Sequence, residues 1–320
     1  MRELLVSKND AGQRLDRFLA KAVPLLPGTL AQKYIRLKRI KVGGKRAEQS
    51  YRLLEGDAIQ LYIGENFFEA TGVEEKDLFR GISQPSLSIC YEDEHILIVD
   101  KPPGLLSHSG ESPGEITLVD QVKAHLYQKG TWDPAREQSF IPALCNRLDH
   151  NTSGLVLAAK TAAALQILNR KIQSREIDKY YLLAVHGSPN PPQGRLEGHL
   201  TKDRQQNRVE VVSRGTEGAK DAVTEYRTLE SLGGLSLVEC RLLTGRTHQI
   251  RAQMAALGCP LLGDRKYGGQ GEGKSYQALW AHRICFHFNS DAGVLQYLDR
   301  REFFSDDKPF WTQYFQHQTR

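Results

Sequence analysis

The sequence predicts an α+β chain: a small basic α/β-type module followed by a larger body on a mixed, largely antiparallel sheet. Three observations lead there. Charge is segregated, because residues 1–63 hold 13 Lys and Arg against 6 Asp and Glu, residues 64–80 hold 2 against 5, and the remaining 240 hold 28 against 27. Residues 207–243 carry successive strand-like runs joined by short turns. Helix-period segments are interspersed among the strands without strict alternation, which argues against a doubly wound sheet. With 320 residues, 40% apolar and 25% charged, the chain can bury two cores.

In the front module, Leu15, Phe18, Leu19 and Ala22 fall at i, i+3, i+4 and i+7, which predicts an amphipathic helix over 13–23, ended by Pro24. A second helix is expected over 30–37, with Lys33, Arg36, Lys38 and Arg39 on it or just past its end. Ile40-Lys41-Val42 then alternates like a strand into the turn Gly43-Gly44, and Leu53-Leu54-Glu55-Gly56-Asp57 is a turn before a strand over 58–63. Residues 64–85 lack any sustained period and read as an acidic linker.

The body begins near residue 86. Ile96-Leu97-Ile98-Val99 is a buried strand stopped by Lys101-Pro102-Pro103-Gly104. Helices are expected over 117–127, 161–172 and 247–257. Strands are expected over 154–159, 180–186, 207–212, 222–230 and 235–243, and near 279–288 and 295–304.

Several classes are disfavoured. Cys90, Cys145, Cys240, Cys259 and Cys285 form no C-x-x-C pair, and the histidines show no helical ligand spacing, so neither a disulfide framework nor a metal site is expected. No apolar run approaches the roughly 18 residues a membrane span needs, and the first eight residues lack the hydrophobic stretch of a signal peptide, so a cytoplasmic protein is expected. Residues 268–275, Gly-Gly-Gln-Gly-Glu-Gly-Lys-Ser, fit G-x-x-x-x-G-K-[ST], the phosphate-cradling P-loop. That loop needs a core strand directly before it, and Gly263-Asp264-Arg265-Lys266-Tyr267 is none, so the segment reads as a Gly-rich surface connection.

The ordered segments R-L-D-x-F-L (residues 14–19), I-R-L-K-R-I-K-V-G-G-K (35–45) and L-x-x-G-D (53–57) resemble an S4 RNA-binding domain over 12–63. Within 86–316, Arg147-Leu148-Asp149-His150-Asn151-Thr152-Ser153-Gly154 resembles the R-L-D-x-x-T-S-G loop of the RluA-type RNA pseudouridine synthases. Ile98-Val99-Asp100-Lys101-Pro102-Pro103-Gly104 precedes it in that family's order. Lys179-Tyr180-Tyr181-Leu182-Leu183-Ala184, Leu243-Thr244-Gly245-Arg246-Thr247-His248-Gln249-Ile250-Arg251, Pro260-Leu261-Leu262-Gly263-Asp264 and Tyr267-Gly268 follow it. The resemblance covers essentially the whole chain and implies the pseudouridine synthase fold.

It also implies a cofactor-free isomerase that converts uridine to pseudouridine in RNA. An S4 module joined to this domain resembles the large-subunit ribosomal RNA branch, and a monomer is expected. The chemistry needs a carboxylate nucleophile, for which Asp149 is the candidate, and an opposite charge beside it, a role the family pattern places on Arg251. A bidentate guanidinium would fix that carboxylate's geometry as well as its charge. Tyr181 can stack on the target base and offers a hydroxyl near C5 as proton acceptor, while Tyr180 should face the other side of its strand. The uridine must be extruded to be reached, and Arg147 is the expected RNA contact supporting that flip. Lys33, Arg36, Lys38, Arg39 and Lys41 would hold RNA backbone. The commoner pattern has His before R-L-D and Arg after it; here Asn146 and His150 stand there, which bears on flanking RNA contacts. The competing readings are a catalytically silent RNA-binding or ribosome-assembly protein and the P-loop nucleotide binder.

Overall fold

The computed structural model describes residues 1–68, 78–109, 114–134, 137, 139–203, 208–271 and 276–316. Strand β1 (Arg2–Leu5) opens the front module, followed by helices α1 (Leu15–Ala22) and α2 (Gly28–Arg36) and strands β2 (Ile40–Val42), β3 (Lys45–Arg46) and β4 (Ala58–Leu61). The sheet order is β1-β4-β2-β3, all antiparallel. Gly43 and Gly44 turn β2 into β3 with φ of 56° and 75°, a conformation glycine takes without a Cβ clash. Leu15, Phe18 and Leu19 pack with Ile35, Ile40, Ile59 and Leu61 in a core of the module's own.

The body comprises β5 (Ser88–Glu92), β6 (Ile96–Lys101), α3 (Leu118–Gln128), β7 (Ala143–Leu144), β8 (Ser153–Ala159), α4 (Ala162–Gln173), β9 (Ile177–His186), β10 (Gln193–Asp203), β11 (Arg208–Val212), β12 (Lys220–Leu232), β13 (Leu235–Leu242), α5 (Gln249–Ala256), β14 (Leu279–Phe286) and β15 (Glu302–Phe304). They form one sheet in the order β11-β10-β12-β13-β9-β14-β8-β6-β5, with β15 added to β14 and β7 to β8. Among the described residues β14 and β8 are the one parallel pair, so the sheet is largely antiparallel, as the turn spacing predicts.

The central strands read as continuous apolar runs because both faces are covered. On one face Leu97, Val99, Val156 and Ala158 meet Leu118 and Val122 of α3. On the other, Ile96, Ile98, Leu155 and Leu157 meet Ala164 and Leu168 of α4. In β9, Tyr181, Leu183 and Val185 face the first core, while Leu182 and Ala184 pack with Trp280 and Trp311.

The differences from expectation have physical reasons. Strand β10 alternates, but Gly194 and Gly198 take two of its inward positions in turn with Leu196 and Leu200, so the apolar signal is too sparse to predict a strand although both leucines pack against cores. β1, β5 and the two-residue β7 were not expected either, and all are short. The strand expected over 295–304 is a 3-10 turn (Gly293–Leu298) followed by β15, because Leu295 and Leu298 are both buried at a spacing a strand does not give. Phe79 and Ile82, inside the stretch read as linker, are buried in the body core beside Trp132; residues 69–77 lie outside the described residues. A 3-10 turn (Arg265–Tyr267) precedes Gly268 in place of the core strand a P-loop needs, and Lys274 and Ser275 lie outside the described residues.

The modules touch through polar groups. Glu137 accepts hydrogen bonds from Ser7 and Asn9 at 2.8 Å each, and the buried Asp10 accepts from the Ser139 backbone at 2.9 Å and hydroxyl at 2.6 Å.

Candidate active site

The loop 146–152, between β7 and β8, is held on several sides. The Asn146 side chain accepts from Leu157 N at 2.8 Å and donates to Leu155 O at 3.3 Å, so it belongs to the edge of β8. Ser107 Oγ accepts from Leu148 N at 3.1 Å and donates to Leu148 O at 2.9 Å. Lys101, buried at the end of β6, donates to the carbonyls of Pro102 at 2.9 Å, Leu105 at 2.8 Å and His150 at 2.9 Å. Burial brings its ammonium down to about 8, against a contribution from Asp149 that favours the charge. The His150 ring is hydrogen-bonded to Gly104 O at 2.8 Å, although the side chain is exposed. Gly154 closes the loop at φ 110°, where a Cβ would lie 2.3 Å from Ala281 O, so β8 can meet β14 only with glycine there.

The loop presents Asp149, half-buried, to a cavity of about 840 Å³ that Tyr181, His248, Arg251 and Arg147 also line. Arg251 projects from α5, where Ile250 and Met254 anchor the helix in the core. Its Nη1 donates to Asp149 Oδ2 at 3.0 Å. The expected two-pronged grip on Asp149 goes elsewhere: Nε and Nη2 reach Asp264 Oδ2 at 2.6 Å and Oδ1 at 2.8 Å. Planar guanidinium geometry allows both, one edge for the fork and the remaining corner for Asp149. Burial would lower the Arg251 pKa, but the hydrogen bond and charge of Asp264, with Asp149, raise it further above its ordinary value.

The Arg251 guanidinium also lies 5.0 Å from the centroid of the Tyr267 ring. The Tyr267 oxygen accepts from Val209 N at 2.9 Å and is 2.9 Å from His248 Nδ1. His248 Nε2 stands 3.8 Å from Asp149 Oδ2, and burial lowers its pKa despite that carboxylate. His248 has φ 51°, a left-handed conformation unusual for a side-chain-bearing residue, at the entry to α5.

Tyr181 is 5% exposed. Burial first and the Asp149 charge second push its phenol well above the ordinary tyrosine value, so it stays protonated at neutral pH. Tyr180 faces the opposite side of β9, where the Arg283 guanidinium lies 3.9 Å from its ring centroid, as alternation requires.

Residues 95–256 match the RNA pseudouridylate synthase family, and residues 13–59 match the S4 domain. The chain belongs to the RNA pseudouridine synthases. It is 34% identical over 274 residues to "Ribosomal large subunit pseudouridine synthase D" of Nitrosomonas europaea, covering 83% of this chain and 72% of that one. It is 32% identical over 274 residues to "Ribosomal large subunit pseudouridine synthase C" of Rickettsia bellii, covering 83% and 86%. In fold it is similar to "Human RNA Pseudouridylate Synthase Domain Containing 4", with a TM-score of 0.54 at 20% identity over 74% of this chain and 94% of that one.

The synthase's S4 module carries its expected basic residues on one connected stretch. Lys33 and Arg36 end α2, Lys38 follows it, Arg39 lies 5.5 Å from the Tyr34 ring centroid and Lys41 on β2 lies 5.4 Å from that of Tyr62. The first four are exposed. Among the described residues of the synthase, no helix is long and apolar enough to cross a membrane. Sequence reasoning placed Asp149, Tyr181, Arg251 and Arg147 and the structure brings them to one cavity. It did not give Asp264, His248 or Tyr267 a role, although all three lie in the segments that carry the family resemblance.

Proposed function

We propose that this synthase isomerises specific uridines of large-subunit ribosomal RNA, with Asp149 as nucleophile, Arg251 as its fixed counter-charge and Tyr181 as the stacking platform. The names of the two curated relatives support the substrate. The observation that carries the site assignment is the Asp264–Arg251–Asp149 chain: a guanidinium immobilised by one carboxylate and offering its free corner to another at 3.0 Å. A merely structural arginine would be satisfied by the buried fork to Asp264; the second, half-exposed carboxylate is turned to the cavity.

In this reading the target nucleotide is flipped into the cavity at a cost of a few kcal/mol, supported by the exposed Arg147 on its rim. The C1′–N1 bond breaks as the Asp149 carboxylate adds at C1′ or removes the C2′ proton. The freed uracil turns against the Tyr181 ring and C5 bonds to C1′ as the Asp149–C1′ ester bond breaks or, on the other route, as the C2′ proton is returned. The proton then lost from C5 is matched by the one N1 takes up. No atom or electron is gained or lost overall. Because the Tyr181 phenol stays protonated, accepting the C5 proton requires it to hand its own proton on in the same step. The intact set of Asp149, Arg251 and Tyr181 favours an enzyme over a silent RNA-binding protein.

The test is carbodiimide mapping of pseudouridines in ribosomal and transfer RNA from source cells with and without the gene, complemented by wild type or Asp149→Ala. Loss of discrete large-subunit sites, restored only by wild type, is the expected result. Loss confined to transfer RNA would contradict the substrate, and restoration by the variant would contradict the nucleophile.

A further inference from the structure

Along residues 175–181, the run from the end of α4 into β9, acidic charges are paired and basic ones are not. Glu176, buried, accepts from Lys171 Nζ at 2.6 Å. Asp178, also buried, pairs with Arg241 at 2.9 Å and lies 3.1 Å from His287, so its carboxylate is engaged although the residue borders the cavity. Arg175 and Lys179 line the same cavity as Asp149 and Tyr181. Lys179 has Asp178 as an electrostatic neighbour without forming an ion pair with it, and burial lowers its pKa. Among the described residues, neither the Arg175 guanidinium nor the Lys179 ammonium makes a side-chain hydrogen bond or ion pair.

Two placements give these cations a direction. Lys179 and Tyr181 are two residues apart in β9 and so share a strand face, about 7 Å from each other. Arg175 follows α4 at φ 60°, left-handed, where glycine is the ordinary residue because any Cβ is strained. The chain thus keeps a long cation at a backbone position that favours glycine, on the rim of the reactive cavity.

We propose that Arg175 and Lys179 form a phosphate seat for the RNA backbone next to the flipped uridine. Lys179 grips the phosphate beside the nucleotide stacked on Tyr181, and Arg175 takes the next phosphate outward. The ligand class is a polyanionic ribose-phosphate strand, since unpaired cations lining a cavity that a neutral base enters serve the backbone and not the base. This rests on the assignment of the cavity to uridine isomerisation.

The test uses full-length protein and total RNA from cells lacking the gene, which retains every unmodified target. Initial rates of pseudouridine formation are measured against RNA concentration over a range of salt for wild type, Arg175→Gly, Arg175→Lys and Lys179→Met. Arg175→Gly and Lys179→Met should each raise KM about tenfold and reduce the salt slope of log kcat/KM by about one. Their kcat should stay within about twofold of wild type, because phosphate contacts position and do not react. Arg175→Lys should keep the slope, and Arg175→Gly should melt no lower than wild type because the left-handed strain is gone. Unchanged KM and slope in both neutralised variants, or a loss confined to kcat, would overturn the seat. Filter binding of the same RNA over the same salts reads the seat without turnover: equal slopes there also overturn it, whereas wild type forming no pseudouridine in that RNA contradicts the isomerase assignment instead.

Discussion

Arg251 can serve Asp149 because Asp264 holds it from behind. Asp264 is 2% exposed, so removing it leaves a buried guanidinium with one partner in place of two. Asp264→Ala should therefore destabilise the protein by about 3–5 kcal/mol in urea unfolding, the scale of a broken buried pair. The milder Asp264→Asn should lower kcat roughly 10- to 100-fold, as loss of an orienting partner does, with KM little changed. Tyr181→Ala should raise KM for RNA by about ten- to a hundredfold through lost stacking worth on the order of 1–3 kcal/mol, whereas Tyr181→Phe, which keeps the ring, should lower kcat at near-constant KM. Steady-state kinetics separates the two. At this scale the sequence showed the types of residue but not their wiring: the spacing of Arg251 and Asp264, 13 residues apart across the end of α5, cannot reveal which carboxylate takes the guanidinium's fork. The position of His248 was equally hidden, since spacing does not show the left-handed backbone at the entry to α5 or the 3.8 Å approach of its Nε2 to Asp149 Oδ2.

Elements with a clear apolar pattern were legible, and those whose inward positions carry few side chains were not. The buried faces of α1, α3 and α4, the Ile250-to-Met254 spacing in α5, and the apolar runs of β6, β8 and β9 could be read from side chains; β10, whose inward positions alternate glycine with leucine, could not. Gly154→Ala tests the junction of β8 and β14 that sets the Asp149 loop. Its methyl would meet Ala281 backbone at 2.3 Å, so a loss of at least about 3 kcal/mol is expected in urea unfolding. Glu92 ties β5 to α3 and to the end of β8, with Lys129 at 2.8 Å, Lys160 at 2.7 Å and His125 at 3.0 Å. Burial raises its pKa, but the hydrogen bonds from Lys129, Lys160 and His125 outweigh burial and hold the carboxyl at about 2. A depressed carboxyl stabilises above its unfolded value of about 4.5, and that contribution is lost as pH falls toward about 2. Glu92→Gln should remove up to about 3 kcal/mol at pH 7 and flatten the acid limb of stability between those values. An unaltered acid limb would contradict the pairing.

For the whole molecule, the division into a basic reader and a near-neutral catalytic body was visible in charge counts, but their junction was not. It rests on Ser7, Asn9, Asp10, Glu137 and Ser139, small polar residues with no motif of their own. Asp10→Ala leaves the Ser139 donors without their buried acceptor, a penalty of about 1–3 kcal/mol. Calorimetry should then show the front module melting ahead of the body, in place of one transition; an unchanged profile would mean the contact carries no coupling. The most direct test of the account remains at its centre. Purified full-length Asp149→Ala and Asp149→Asn should bind unmodified large-subunit RNA within about threefold of wild type while forming pseudouridine at least about a thousandfold more slowly, and turnover within about tenfold of wild type by either variant would contradict the assignment of Asp149 as the nucleophile.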